Sequence, residues 1–234
     1  MGKNKLKKWA ELEEFSFVIQ PSMEEVFGRD HPLKGRWHRD IFRNNNPLVL
    51  ELGCGKGEYT TGLAESDRSR NYLGIDIKGA RMWRGAKTAN EKGLKNVAFL
   101  RTRIEFITSL FGKDEVDEIW ITFPDPQLKK RRADKRLTSP RFLNSYRKFL
   151  KPGGLVHLKT DNQELYTKSM AVLEHNRLDI LISSDDIYGG PTGSQLPDIV
   201  THYEKMFLAE GIPIKYIRFR LNNELQPWQP DDDE

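Results

Sequence analysis

From residue 47 onward the chain repeats one pattern, a short apolar run followed by a stretch with helical spacing. The runs fall at 47–52, 71–75, 97–100, 118–122, 155–160, 178–183 and 215–221. Helical spacing falls between most of them, at 58–65, 79–92, 104–111, 139–150, 162–174 and 199–210. The first five runs are bounded by Gly or Pro and are nearly continuous in apolar residues, as strands buried on both faces must be. Such alternation predicts an α/β fold, a doubly wound and mostly parallel sheet of seven strands with helices on both faces. The last run alternates Tyr216, Ile217, Arg218, Phe219 and Arg220, which predicts a half-exposed strand near an edge. Residues 1–46 lack the rhythm and are expected to be an N-terminal extension wrapping a domain at 47–221, with 222–234 an acidic tail.

A length of 234 residues suits one such domain and gives it a full core. Cys54 is the single cysteine, so neither a disulfide framework nor a thiolate zinc cluster is available. The five histidines lack metal-ligand spacing, so no metal is expected. No apolar run reaches the length of a membrane span and no signal-peptide pattern opens the sequence, so a soluble, cytoplasmic protein is expected. Met1-Gly2 is not followed by Ser or Thr at position 6, which removes the myristoylation motif. The excess of Lys and Arg over Asp and Glu is only four, but it is uneven. Lys3, Lys5, Lys7 and Lys8 make the start basic, and 231–234 close on acids. Local patches therefore matter more than net charge.

Two segments carry chemistry. The first run ends Glu51-Leu52-Gly53-Cys54-Gly55-Lys56-Gly57 at a strand-to-helix turn, where glycine lets backbone approach a ligand. A P-loop needs Ser or Thr after Gly-Lys, and Gly57 stands there; a dinucleotide fingerprint needs Gly where Glu58 stands. About twenty residues on, Gly74-Ile75-Asp76 ends the second run with a carboxylate that suits a ribose diol. Capping the next helix is the competing role for Asp76. A dehydrogenase has no support beyond the fold.

The second segment is Phe123-Pro124-Asp125-Pro126-Gln127-Leu128, followed by Lys129, Lys130, Arg131, Arg132, Lys135 and Arg136. Prolines on both sides hold Asp125 out of regular structure. A fixed acid beside a dense cationic strip points to chemistry on a polyanion, whereas a strip alone is usually a solvated surface.

Acid-x-Gly-x-Gly-x-Gly resembles motif I of the class I S-adenosylmethionine-dependent methyltransferases, with a Rossmann-like fold. Together with Lys159-Thr160-Asp161-Asn162 and Thr201-His202-Tyr203-Glu204, the sequence from about 47 to 221 is similar to the bacterial single-subunit tRNA (guanine-N7-)-methyltransferases. The resemblance implies S-adenosylmethionine as cofactor and tRNA as partner, with position 46 of the variable loop as target. It leaves monomer and homodimer both open. It implies Glu51, Gly53, Gly55, Gly57, Asp76, Arg103, Ile104 and Asp125 around the cofactor. Lys129, Asp161, Thr201, His202, Tyr203 and Glu204 would then meet the substrate, and Arg131, Arg132, Lys135 and Arg136 the RNA. Asp125 is the expected catalytic residue, holding the guanine or offsetting positive charge that forms on it. For Asp161 the competing role is a helix cap shared with Asn162; for Tyr203 the expectation from residue type is core.

Two departures from the family stand out. Gln127-Leu128 replaces Trp-Pro, and Arg103 replaces the Asp that accepts from the adenine amino group, so adenine recognition is expected to be organised differently. Two alternatives remain at this stage: an amine-directed nucleic-acid methyltransferase, and a non-catalytic RNA-binding protein on a methyltransferase fold.

Overall fold

A computed structural model describes residues 3–230. The N-terminal segment is built of α1 (Lys3–Glu14), β1 (Val18–Ile19), α2 (Met23–Val26) and a wide turn at Trp37–Phe42. Then come β2 (Leu48–Leu52), α3 (Glu58–Ser66), β3 (Asn71–Asp76), α4 (Gly79–Glu91), β4 (Val97–Arg101) and β5 (Val116–Thr122). The chain continues with α5 (Pro140–Tyr146), β6 (Leu150–Thr160), α6 (Gln163–His175), β7 (Asp179–Ser184), α7 (His202–Ala209) and β8 (Lys215–Arg220). All eight strands form one sheet in the order β1-β4-β3-β2-β5-β6-β8-β7. Among the described strands β8 runs opposite to the other seven.

β2 shows why the apolar runs are continuous. Leu48, Leu50 and Leu52 enter one core with Ile119, Ile121, Val156 and Leu158; Val49 enters the other with Phe99, Trp120 and Tyr216. Successive side chains point to opposite faces, so a strand covered on both sides needs apolar residues throughout. The chain moves from β2 outward to β3 and β4, then crosses back to lay β5 on the other side of β2. Ligands in open α/β sheets bind at such a reversal, beyond the carboxyl ends of the strands.

Three expectations need correcting. The seven expected strands gain an eighth, because Val18 and Ile19 pair in parallel with Phe99 and Leu100. β8 lies next to the edge, as expected, but is not half-exposed, since Tyr216, Ile217 and Phe219 are fully buried; the edge itself is β7, whose residues alternate exposed and half-buried. An antiparallel strand inserted between β6 and β7 leaves the same local pattern as a half-exposed strand, so periodicity did not separate the two. The helix expected at 104–111 is a tighter 3₁₀ turn, Ile104–Ser109.

The segment before β2 is integral to the packing from Glu11 to Trp37. Trp37 is fully buried, its indole N–H donates to Leu110 O at 2.8 Å, and Glu115 accepts from the backbones of Gly35 and Trp37 at 2.8 and 3.0 Å. Trp83 on α4 donates to Glu11 on α1 at 2.7 Å. At the other end, Trp228 stacks on His175 at 4.1 Å and Asn144 exchanges hydrogen bonds with Leu225. Of the expected acidic tail, 231–234 lie outside the described residues.

Candidate active site

The loop after β2 shows what each glycine does. Gly53, Gly55 and Gly57 have φ of +78°, +54° and +70°, the left-handed region that favours glycine. At Gly57 a Cβ would lie 2.7 Å from Phe99, so this glycine lets the loop pack on the sheet and on Gly85 of α4. At Gly53 a Cβ would meet nothing within 4 Å among the described residues, and at Gly55 only Gly53 O at 3.9 Å. Those two face open space.

That space is a cleft of about 400 Å³ at the strand reversal, floored by Gly53 and Gly55 and walled by Asp76, Thr122, Asp125 and Tyr203. A second chamber of about 380 Å³ lies towards the end of β4, against Thr102, Arg103, Ile104 and Glu105. Gly53, Asp76, Ile104, Gln127 and Lys135 line both, so the two are continuous.

Asp76 closes β3 with its carboxylate divided between two backbone donors, Gly55 N–H at 2.9 Å on Oδ2 and Lys78 N–H at 2.7 Å on Oδ1. It therefore braces the glycine loop and the turn that leads into α4, without capping the helix, and keeps a lone pair on each oxygen for a diol. Glu51, on the neighbouring strand β2 and in register with Gly74, is 3% exposed. It accepts from Thr60 N–H at 2.8 Å, from the Thr60 hydroxyl, and from the Thr122 hydroxyl at 2.5 Å. Burial pushes its carboxyl up to about 7, against the lowering effect of the threonine hydrogen bonds, with the Asp76 charge adding to the rise.

This gives a pH signature. A carboxyl raised in the folded state contributes full stability below its unfolded value of 4.5 and loses it as pH rises through about 7. The loss amounts to about 3 kcal/mol. Glu51→Gln is expected to remove that decline, as read from urea midpoints at about pH 5 and pH 8. A decline of equal size in both proteins would assign the titration to another group.

The loop after β5 is held at both ends in strained backbone, with φ of +47° at Phe123 and +48° at Gln127. Phe123 N–H donates to Lys159 O at 2.8 Å, and Gln127 N–H to Asp125 Oδ1 at 3.1 Å. Asp125 is exposed at the cleft wall, with Oδ2 directed to no partner among the described residues. Beyond it Lys130–Lys135 form a 3₁₀ turn, tied down where Gln229 donates to Asp134 at 2.8 Å.

The strip then divides. Lys129, Lys130, Arg131 and Arg132 are exposed, and Lys135 is exposed while also lining both chambers. Arg136 does not join them: it is 3% exposed, and its Nη2 donates to Gln127 O at 3.2 Å. The expectation that Arg136 meets RNA is corrected on that ground. It braces the Asp125 loop from below.

The 201–204 segment also divides. Thr201 and Glu204 cap α7 reciprocally, at 3.2 and 3.3 Å. Glu204 is fully buried and pairs with Lys159 Nζ at 2.6 Å, while the Tyr188 hydroxyl donates to it at 2.7 Å. Its carboxylate is thus occupied inside the protein. His202 N–H donates to Glu58 at 2.8 Å, which ties this segment to the glycine-loop helix. Tyr203, expected in the core from residue type, is 38% exposed at the cleft mouth, with Lys56 Nζ 5.8 Å from its ring centre. Asp161 is half-buried and outside the cleft lining, and Asn162 takes the capping role on α6 at 2.8 Å. Lys129 likewise lies outside the lining.

Among the described residues no cluster of His, Cys, Asp or Glu could hold a metal, and no helix is long and apolar enough to cross a membrane.

A family model described as a methyltransferase matches residues 45–217. A tRNA (guanine-N(7)-)-methyltransferase of Christiangramia forsetii is 50% identical over 221 residues, 94% of this chain and 99% of that one. One from Porphyromonas gingivalis is 51% identical over 209 residues, 89% of this chain and 83% of that one. Among solved structures, the 16S rRNA methyltransferase KamB superposes with a TM-score of 0.59 at 16% identity, covering 83% of this chain and 96% of that one. At that identity the likeness concerns the fold.

Proposed function

This chain belongs to the tRNA (guanine-N(7)-)-methyltransferase family, and from that premise we propose that its cleft moves the methyl group of S-adenosylmethionine to N7 of a guanine in tRNA, position 46 of the variable loop, in the cytoplasm. The observation that carries this reading is the two-chambered cleft at the strand reversal. It places the glycine loop and Asp76 on one side and Asp125, with the exposed cationic turn behind it, on the other.

The residues present fit the cofactor. Gly53 and Gly55 leave open room where side chains would stand, Asp76 keeps acceptor capacity for a ribose diol, and Ile104 lines the chamber beyond it. When bound, S-adenosylmethionine supplies a methyl group on a positively charged sulfur. Guanine N7 carries an in-plane lone pair and no proton, so the protein needs no general base. Its work is in-line positioning and favourable electrostatics. Asp125 is placed to hold the guanine donors or to offset the positive charge that develops on the ring. Tyr203 offers an aromatic face at the mouth for a base drawn out of its stack. With tRNA and radiolabelled S-adenosylmethionine, the labelled nucleoside is expected to be 7-methylguanosine; label on an exocyclic amine would replace this reading with the amine-directed one.

Lys130, Arg131 and Arg132 are assigned to phosphates, which position the RNA without reading its sequence. Replacing all three with Gln is expected to lower the log–log salt slope of tRNA binding by about 2–3, at roughly 0.7–0.9 per contact. Affinity for S-adenosylhomocysteine should hold. An unchanged slope would return the turn to solvated surface.

A further inference from the structure

Gln127 is fixed along its backbone and unsatisfied at its tip. Its N–H donates to Asp125 and its carbonyl accepts from the buried Arg136, at 3.1 and 3.2 Å, so the residue cannot drift. Its side-chain oxygen is enclosed yet meets no hydrogen-bond donor among the described residues. A buried acceptor left unpaired is unfavourable, and native structures keep few of them without a reason. A half-turn about the last side-chain bond exchanges oxygen and nitrogen within nearly the same volume. The side chain can therefore present its oxygen to whatever donor enters the chambers it lines.

The chamber beyond β4 needs such an acceptor. The Watson–Crick edge of adenine sets a donor, the 6-amino group, beside an acceptor, N1. Of the side chains around that chamber, Arg103 and Lys135 only donate, Ile104, Leu137 and Phe142 do neither, Thr102 brings one buried hydroxyl, and Asp76 is shared between the glycine loop and the ribose. Glu105 is exposed and offers acceptors alone. A carboxamide oxygen can accept from the 6-amino group, as it does when Asn or Gln meets the N6/N7 edge of adenine in DNA.

We propose that Gln127 reads the cofactor's adenine by accepting from its 6-amino group. This rests on the cleft being the S-adenosylmethionine site. Gln127 then supplies the recognition that Arg103 cannot, from the strand-five loop rather than from the end of β4. It also links adenine binding to Asp125, whose carboxylate accepts from the Gln127 backbone.

The test compares S-adenosylhomocysteine with its purine counterpart, in which hydrogen replaces the 6-amino group, by calorimetry and without turnover. Wild-type protein is expected to bind the purine compound about tenfold more weakly, a difference of about 1.4 kcal/mol. Gln127→Ala and the volume-matched Gln127→Met should lose about tenfold for S-adenosylhomocysteine and bind the two compounds alike. Glu105→Gln should still discriminate. Discrimination that survives in both Gln127 variants overturns the proposal, as does discrimination lost in Glu105→Gln alone. A drop in tRNA affinity with cofactor discrimination intact would assign Gln127 to the guanine and overturn it too. Wild-type protein that binds neither compound would overturn the cofactor reading itself.

Discussion

Asp125→Asn is expected to slow single-turnover methylation of tRNA by about 10²–10³-fold, the scale of losing one preorganised electrostatic group. Asp125 stands between two prolines, has one oxygen engaged by Gln127 N–H, and lines the cleft. Without substrate it is exposed. A seated guanine would exclude that water and strengthen every charge interaction nearby. Positive charge grows on the guanine ring only as the methyl group arrives, so the effect belongs to the transition state and falls on turnover rather than on tRNA affinity. Asparagine preserves the shape and one acceptor oxygen while removing the charge. Cofactor affinity is measured on the same variant. Activity lost only in proportion to cofactor affinity would make Asp125 a binding residue.

Glu204→Gln is expected to cost about 3–5 kcal/mol of folding stability, because it leaves the Lys159 ammonium buried without its counter-charge. Burial already holds Lys159 below the usual lysine range, against the raising effect of Glu204. In the variant that raising effect is gone. A lysine lowered in the folded state makes stability rise with pH, so the deficit should shrink as pH increases and Lys159 gives up its proton. Thermal and urea denaturation across pH reads both the loss and its trend. A variant of unchanged stability whose only defect is a raised KM for tRNA would place this carboxylate on the substrate instead.

The two carboxylates show what a sequence discloses. Asp125 was legible because its constraints are local: flanking prolines, the end of a strand, and a cationic run immediately after. Glu204 stood in an equally distinctive run, but its partners Lys159 and Tyr188 lie on β6 and in a distant loop, and only the fold brings them together. The same contrast holds for the sheet. β2 to β6 were readable because two-sided burial writes continuous apolar runs, whereas β1 spans two residues and carries no period at all. Trp37 and Glu115 anchor the extension through contacts far apart in sequence. Arg136 looked like one cation among six; which face of a short 3₁₀ turn points inward is set by Gln127 and the underlying core. At Gln127 the sequence showed only a departure, and the structure supplied its unsatisfied oxygen.

The most direct measurement uses two tRNA transcripts that differ in one atom, guanine or 7-deazaguanine at position 46, each incubated with the protein and radiolabelled S-adenosylmethionine. The deaza base keeps the Watson–Crick donors and the phosphates but has carbon where N7 should be. The expected result is 7-methylguanosine from the first transcript and background label from the second, with both transcripts bound alike. Equal labelling of the two, or none of either, would contradict methyl transfer to N7 by this cleft.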